Sequence, residues 1–159
     1  MRRNDREVKD FERVLEIVAR CDVLRLGLSD GEVPYIVPVN FGYEATDGQL
    51  FFYIHGAMAG KKYELLRRTA SCAFEMDCGH KLEYLAEERN ATMRYQCVMG
   101  RAQVELLEGS DKERAMDCLM GRYEETRAAD YPREVLERTM LARLRVTEWS
   151  AKVNPSRAG

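Results

Sequence analysis

Apolar and polar positions change period several times along this chain, and each change marks a new element. Phe11, Val14, Leu15 and Val18 recur at helical spacing among charged residues, which predicts an amphipathic helix over residues 10–20, closed by Cys21-Asp22. Residues 23–28 alternate with period two, as a half-buried strand does, and Ser29-Asp30-Gly31-Glu32 supplies a hairpin turn. Residues 33–43 are rich in β-branched and aromatic side chains but carry Pro34 and Pro38. Proline cannot donate to a ladder, so this strand must bulge or run at an edge near Pro38.

Thr46-Asp47-Gly48 is a second turn, followed by a strand over 49–55 and a helix over 56–69 with Tyr63, Leu65 and Leu66 inward. A fourth strand spans 71–77, and a fifth, 92–107, is long enough to bend around a corner at Gly100. A helix over 111–127 turns Ala115, Cys118, Leu119 and Tyr123 inward; a short helix over 133–138 leads to a last strand over 140–149. Six strands joined mostly by short turns, with two or three helices outside them, define a mainly β protein built as a closed or partly closed barrel. No repeat or linker divides the chain, so residues 1–152 read as one domain and 153–159 as a flexible polar tail.

At 159 residues the chain is long enough to bury a core without disulfides or metal. Apolar residues make up 45% and charged residues 33%, and the net charge of −2 is spread evenly. That balance excludes a general nucleic-acid or membrane-surface binder, which needs a basic excess. No apolar run suits a signal peptide or a membrane span, and five scattered cysteines fit free thiols in a reducing compartment. The expectation is a cytoplasmic protein.

Three segments carry candidate chemistry. His55-Gly56-Ala57-Met58-Ala59-Gly60-Lys61-Lys62 follows a strong strand and opens a helix. A helix start presents unpaired N–H groups and partial positive charge, which suits a phosphate; the glycines allow close approach and the lysines add charge. The competing reading is a solvated lysine pair on a surface helix, with about even weight. Pro34-Tyr35-Ile36-Val37-Pro38-Val39-Asn40-Phe41 is the second. A bulged strand there frees backbone groups for the polar edge of a planar heterocycle, although a proline-blunted barrel edge accounts for the pattern as well. In the third, alternation puts Arg94, Gln96, Val98 and Gly100 on one face and Tyr95, Cys97 and Met99 on the other, so the polar set lines either a cleft or solvent. Cys72, Cys78 and His80 lack the spacing of a metal site, and His80 looks incidental beside His55.

With these blocks in order, together with residues 1–8, 21–28, Phe74-Glu75-Met76-Asp77 and Val98-Met99-Gly100-Arg101-Ala102, the chain resembles the pyridoxamine 5′-phosphate oxidase-like FMN-binding split-barrel family. Its nearest group is the nitroimidazole-resistance (Nim-type) proteins. The resemblance implies a six-stranded split barrel and a homodimer with FMN at its interface. Val37, Pro38, Val39 and Asn40 would lie along the isoalloxazine, while Gly60, Lys61 and Lys62 would hold the phosphate. His55 would stand beside flavin or substrate as the catalytic residue. Tyr95, Gln96 and Trp149 are weaker candidates, supplied across the interface. The implied activity is that of an FMN-dependent oxidoreductase, with nitro-aromatic compounds as candidate substrates. A non-catalytic FMN- or haem-binding protein is the alternative. The vitamin B6 oxidases end in an arginine-containing signature, and Glu148-Trp149-Ser150-Ala151-Lys152 departs from it. Pyridoxamine phosphate is therefore not the expected substrate.

Overall fold

The computed structural model describes residues 4–85, 89–123 and 131–155. A 3-10 turn at Asn4–Arg6 and a two-residue strand β1 (Glu7–Val8) precede helix α1 (Phe11–Arg20). Strands β2 (Leu24–Leu28), β3 (Tyr35–Val39), β4 (Phe41–Thr46) and β5 (Gln49–Ala57) lead to α2 (Lys61–Arg68). Then come β6 (Ser71–Leu85), β7 (Asn90–Leu106), α3 (Asp111–Tyr123), α4 (Arg133–Arg138) and β8 (Thr139–Asn154).

The strands form one antiparallel sheet in the order β3-β2-β6-β7-β8-β5-β4, with β1 added to β8. Its two edge strands, β3 and β4, are consecutive in the chain and separated only by Asn40. The sheet therefore curls until its edges meet at one residue, and that residue marks a seam. The strand expected over 33–43 is thus two strands, and this break together with β1 accounts for eight strands where six were expected. Pro38 lies in edge strand β3, where the ladder can do without its N–H.

Strand alternation sends one set of side chains inward. Leu24, Leu26 and Leu28 of β2, Phe52 and Ile54 of β5, Phe74 and Met76 of β6, and Ala142 and Leu144 of β8 fill the barrel. Phe52 meets Phe41 edge-on at 5.6 Å and Phe74 at 5.2 Å. Helix α1 starts at Asp10, whose side chain accepts the Arg13 N–H at 3.0 Å, and packs Val14, Ile17 and Val18 on this core. The opposite faces of β5 and β8 are covered as well. Tyr53 and Leu141 join Leu107, Ala115, Met116 and Leu136 in a second cluster under α3 and α4.

Several element bounds differ from those expected. Strand β5 continues through Gly56 to Ala57, so α2 begins at Lys61 and not at 56. Strands β6 and β7 extend past the barrel as a long hairpin, and β8 reaches Asn154. The Asn154 amide is buried and donates to Thr92 Oγ1 at 3.1 Å, which takes Val153 and Asn154 out of the expected tail. Tyr123, expected inward, is 40% exposed at the end of α3. Its hydroxyl accepts the Phe41 N–H and donates to the Asp22 carbonyl, both at 3.1 Å, so it serves as a polar clasp. Residues 124–127 of the expected helix lie outside the described residues. No helix among the described residues is long and apolar enough to cross a membrane.

Candidate functional site

The loop between β5 and α2 sits beside the seam. Gly60 is the N-cap of α2 with φ +85°, a backbone conformation that side-chain-bearing residues avoid, and no side chain caps the helix from there. Gly60 offers the first-turn N–H groups of α2 no side-chain acceptor, and the helix dipole adds partial positive charge at that point.

The two lysines that follow take different neighbours. Lys62 is half-buried, and its ammonium donates to the His55 carbonyl at 3.1 Å. No carboxylate pairs with it among the described residues, and burial lowers its pKa. Gly56 makes room for it: a Cβ there would stand 2.7 Å from Lys62 Nζ and 2.9 Å from Cε. Lys61 turns toward the β2–β3 hairpin, where it pairs with Asp30 and lies 5.5 Å over the Tyr35 ring. The ammonium groups thus flank the start of α2 instead of converging on one point. His55 is exposed as a residue, yet partial burial lowers its pKa, and the Lys62 charge lowers it further. At neutral pH its imidazole is uncharged and keeps a lone pair.

Along β3, Val37 is half-buried, Pro38 exposed and Val39 buried, while Asn40 is exposed at the seam. The outer edge of β3 has no strand partner among the described residues. From Tyr35, under Lys61, to Asn40 is five residues, about 16 Å of extended strand. The contacts of Lys61 with Asp30 and Tyr35 bring the start of α2 against the β2–β3 hairpin.

Tyr95, Gln96 and Trp149 are not brought to the β5–α2 loop within the chain. His55 pairs with Leu141 on β8, whereas Tyr95 pairs with Asn154, thirteen residues further along that strand, about 40 Å of contour. Trp149 packs on Phe11 at 6.3 Å, and Gln96 Oε1 is buried without a hydrogen-bond partner among the described residues. Arg94 pairs with Glu83 at 3.3 Å. His80, which looked incidental, stands 2.7 Å from the Asp77 carboxylate that also takes Arg25. Sequence reasoning missed Asp30 and Tyr35 as partners of Lys61. Asp30 reads as an ordinary turn former, and only the packing of the hairpin against α2 reveals its second task.

An antiparallel barrel whose edge strands meet at a seam defines a split-barrel protein. The sequence model of the pyridoxamine 5′-phosphate oxidase family matches residues 10–153, and the chain belongs to that family. Among solved structures it is similar to a Bacteroides thetaiotaomicron protein described as a 5-nitroimidazole antibiotic resistance protein. That match has 30% identity, covers 92% of this chain and 86% of that one, and gives a TM-score of 0.81. A FAD and heme binding protein of Mycobacterium smegmatis shares the fold at 20% identity, with 95% and 74% coverage and a TM-score of 0.82. A flavocytochrome of Azotobacter vinelandii does so at 21% identity, with 98% and 72% coverage and a TM-score of 0.80. No curated protein matches the chain in sequence.

Proposed function

We propose that this chain is an FMN-dependent oxidoreductase that works as a homodimer, with the flavin lying along the free edge of β3 and its phosphate at the start of α2. The observation that carries the proposal is Lys62: a half-buried ammonium with one carbonyl partner and no carboxylate among the described residues, beside a helix whose glycine N-cap supplies no side-chain cap. An anion with several acceptor oxygens satisfies both at once. Lys61 would exchange Asp30 for the phosphate, and Val37, Pro38, Val39 and Asn40 would offer backbone and amide groups to the polar edge of the ring. A bound flavin supplies hydride or electron transfer. His55, uncharged at neutral pH, accepts a hydrogen bond or proton from a substrate, and its carbonyl keeps Lys62 in place.

The homodimer is proposed from exposed apolar side chains. Val33 (73% exposed) and Ile36 (65%) beside the seam, and Leu82 (66%) and Tyr84 (70%) on the β6–β7 hairpin, give a second copy a surface to cover. Tyr95, Gln96 and Trp149, distant from the loop in their own chain, would reach the flavin of the other copy. Nitro-aromatic compounds are proposed as substrates because the 30%-identical Bacteroides protein is described by resistance to a nitroimidazole drug. The second reading is a carrier of flavin or haem without turnover; the neutral His55 imidazole favours it, since axial ligation needs that lone pair.

Titration with FMN and with riboflavin, followed by flavin fluorescence, tests the proposal. FMN should bind far more tightly than riboflavin, and Lys62→Met should abolish the difference. Absence of FMN binding to the purified protein would reject it. A Soret band on adding haemin, lost in His55→Ala, would point to the carrier. Sedimentation of Ile36→Lys and Tyr84→Lys tests the assembly: both should run as monomers if the natural protein runs as a dimer.

A further inference from the structure

A groove of about 610 Å3 opens between the β5–α2 loop, the end of β7, the start of α3 and α4. Its volume falls within the ~300–1,000 Å3 of small-molecule pockets. Leu107, Leu136, Met140 and Leu141 make an apolar floor; all four are buried and reach the groove from the end of β7, from α4 and from β8. Met58 and Tyr63 stand on the wall nearest α2.

The charges around it are unequal in availability. Arg133 is tied to Glu137 at 2.9 Å, and the Lys112 ammonium donates to the carbonyls of Leu136 at 2.9 Å and Thr139 at 2.8 Å. Arg133 is thus neutralised by its carboxylate partner, whereas Lys112 is held in place by carbonyls and keeps its charge. Glu108 and Glu113, also on the rim, are exposed and have no ion pair among the described residues. Around the apolar floor the lining carries three carboxylates, Glu108, Glu113 and Glu137, against two cations, Lys112 and Arg133, so acids outnumber bases on the rim. Lys62 is not among the residues lining the groove.

We propose that this groove binds an apolar organic cation, its hydrocarbon body on the leucine and methionine floor and its positive centre toward Glu108 and Glu113. An anion of the same shape would meet the same floor but an unfavourable rim, so charge sign is the discriminating property. The site stands apart from the flavin reading, because it uses neither the α2 N-terminus nor the edge of β3, and it can be tested on flavin-free protein.

Tetraphenylphosphonium and tetraphenylborate are close in shape and opposite in charge, which makes them suitable probes in equilibrium dialysis against the full chain. The cation should bind about tenfold more tightly than the anion. Replacing both rim acids, as Glu108→Gln with Glu113→Gln, should weaken the cation about fivefold without lowering the melting temperature, since both residues are exposed. Met58→Arg, at a residue 46% exposed, adds a fixed positive charge to the wall; it should weaken the cation and strengthen the anion. The proposal is overturned if the anion binds as tightly as the cation or if the acid-to-amide variant leaves cation binding unchanged. It is likewise overturned if neither ion binds at about 1 mM, the weakest affinity a pocket of this size should show.

Discussion

Replacing Gly56 by alanine places a methyl group where Lys62 now sits. The new Cβ would lie 2.7 Å from Nζ, 2.9 Å from Cε and 3.3 Å from the Met140 methyl. These are ends of flexible side chains, so the barrel need not yield; the lysine swings away and gives up its bond to the His55 carbonyl. Alanine suits a strand at least as well as glycine and restricts the unfolded chain by about 0.4–1 kcal/mol, which offsets the lost bond of about 1 kcal/mol. The expected change in stability is therefore within about 1 kcal/mol, or ~2–4 °C in melting temperature for a chain of this size. Ligand binding should respond much more strongly. A lysine–phosphate contact contributes about 1.5–3 kcal/mol, so its loss weakens FMN about ten- to hundredfold. Riboflavin has no phosphate and should bind the natural protein and Gly56→Ala alike. Fluorescence titration of both ligands, beside a thermal melt, gives the answer. FMN affinity unchanged within twofold in a folded Gly56→Ala protein would refute Lys62 as the phosphate anchor.

Other outcomes follow from the same contacts. Lys62→Met removes the smaller of the two causes that lower the His55 pKa, so the imidazole should titrate higher by NMR, though still below its ordinary value because burial remains. Protonating His55 opposes folding, so its contribution to stability is complete above about pH 6.5 and declines as pH falls; the decline should be smaller in Lys62→Met. Gly100→Ala should be far more damaging than Gly56→Ala. There a Cβ would stand 2.1 Å from the Glu148 carbonyl oxygen and 2.9 Å from the Phe74 ring, where backbone must move, and the variant should melt at least ~5 °C lower or fail to fold. Arg122 stacks 4.3 Å from the Phe41 ring and donates to the Val18, Ala19 and Cys21 carbonyls at the end of α1. Arg122→Met should cost about 2 kcal/mol in urea unfolding, because the Ala19 and Cys21 carbonyls lose their side-chain donor and Val18 keeps only the Cys21 N–H.

Hydrophobic periodicity is a local property, and wherever local order decides structure the chain could be read directly. The α1 stripe, the β2 alternation, the turn at Asp47-Gly48 and α4 over 133–138 all lie where the pattern placed them. Pro38 called for a bulge or an edge because a missing N–H is a local fact, and β3 is an edge strand. Contacts between distant segments are another matter. Nothing local shows that the two sheet edges meet at Asn40, that Asp30 takes Lys61 from its neighbour Lys62, or that β8 carries Tyr95 away from His55. Those follow from strand register and from how a curled sheet packs its helices. Each residue's own chemistry was thus evident from its type and spacing, while the company it keeps was settled only when the barrel closed, because closure sets the distances over which charges and hydrogen bonds act.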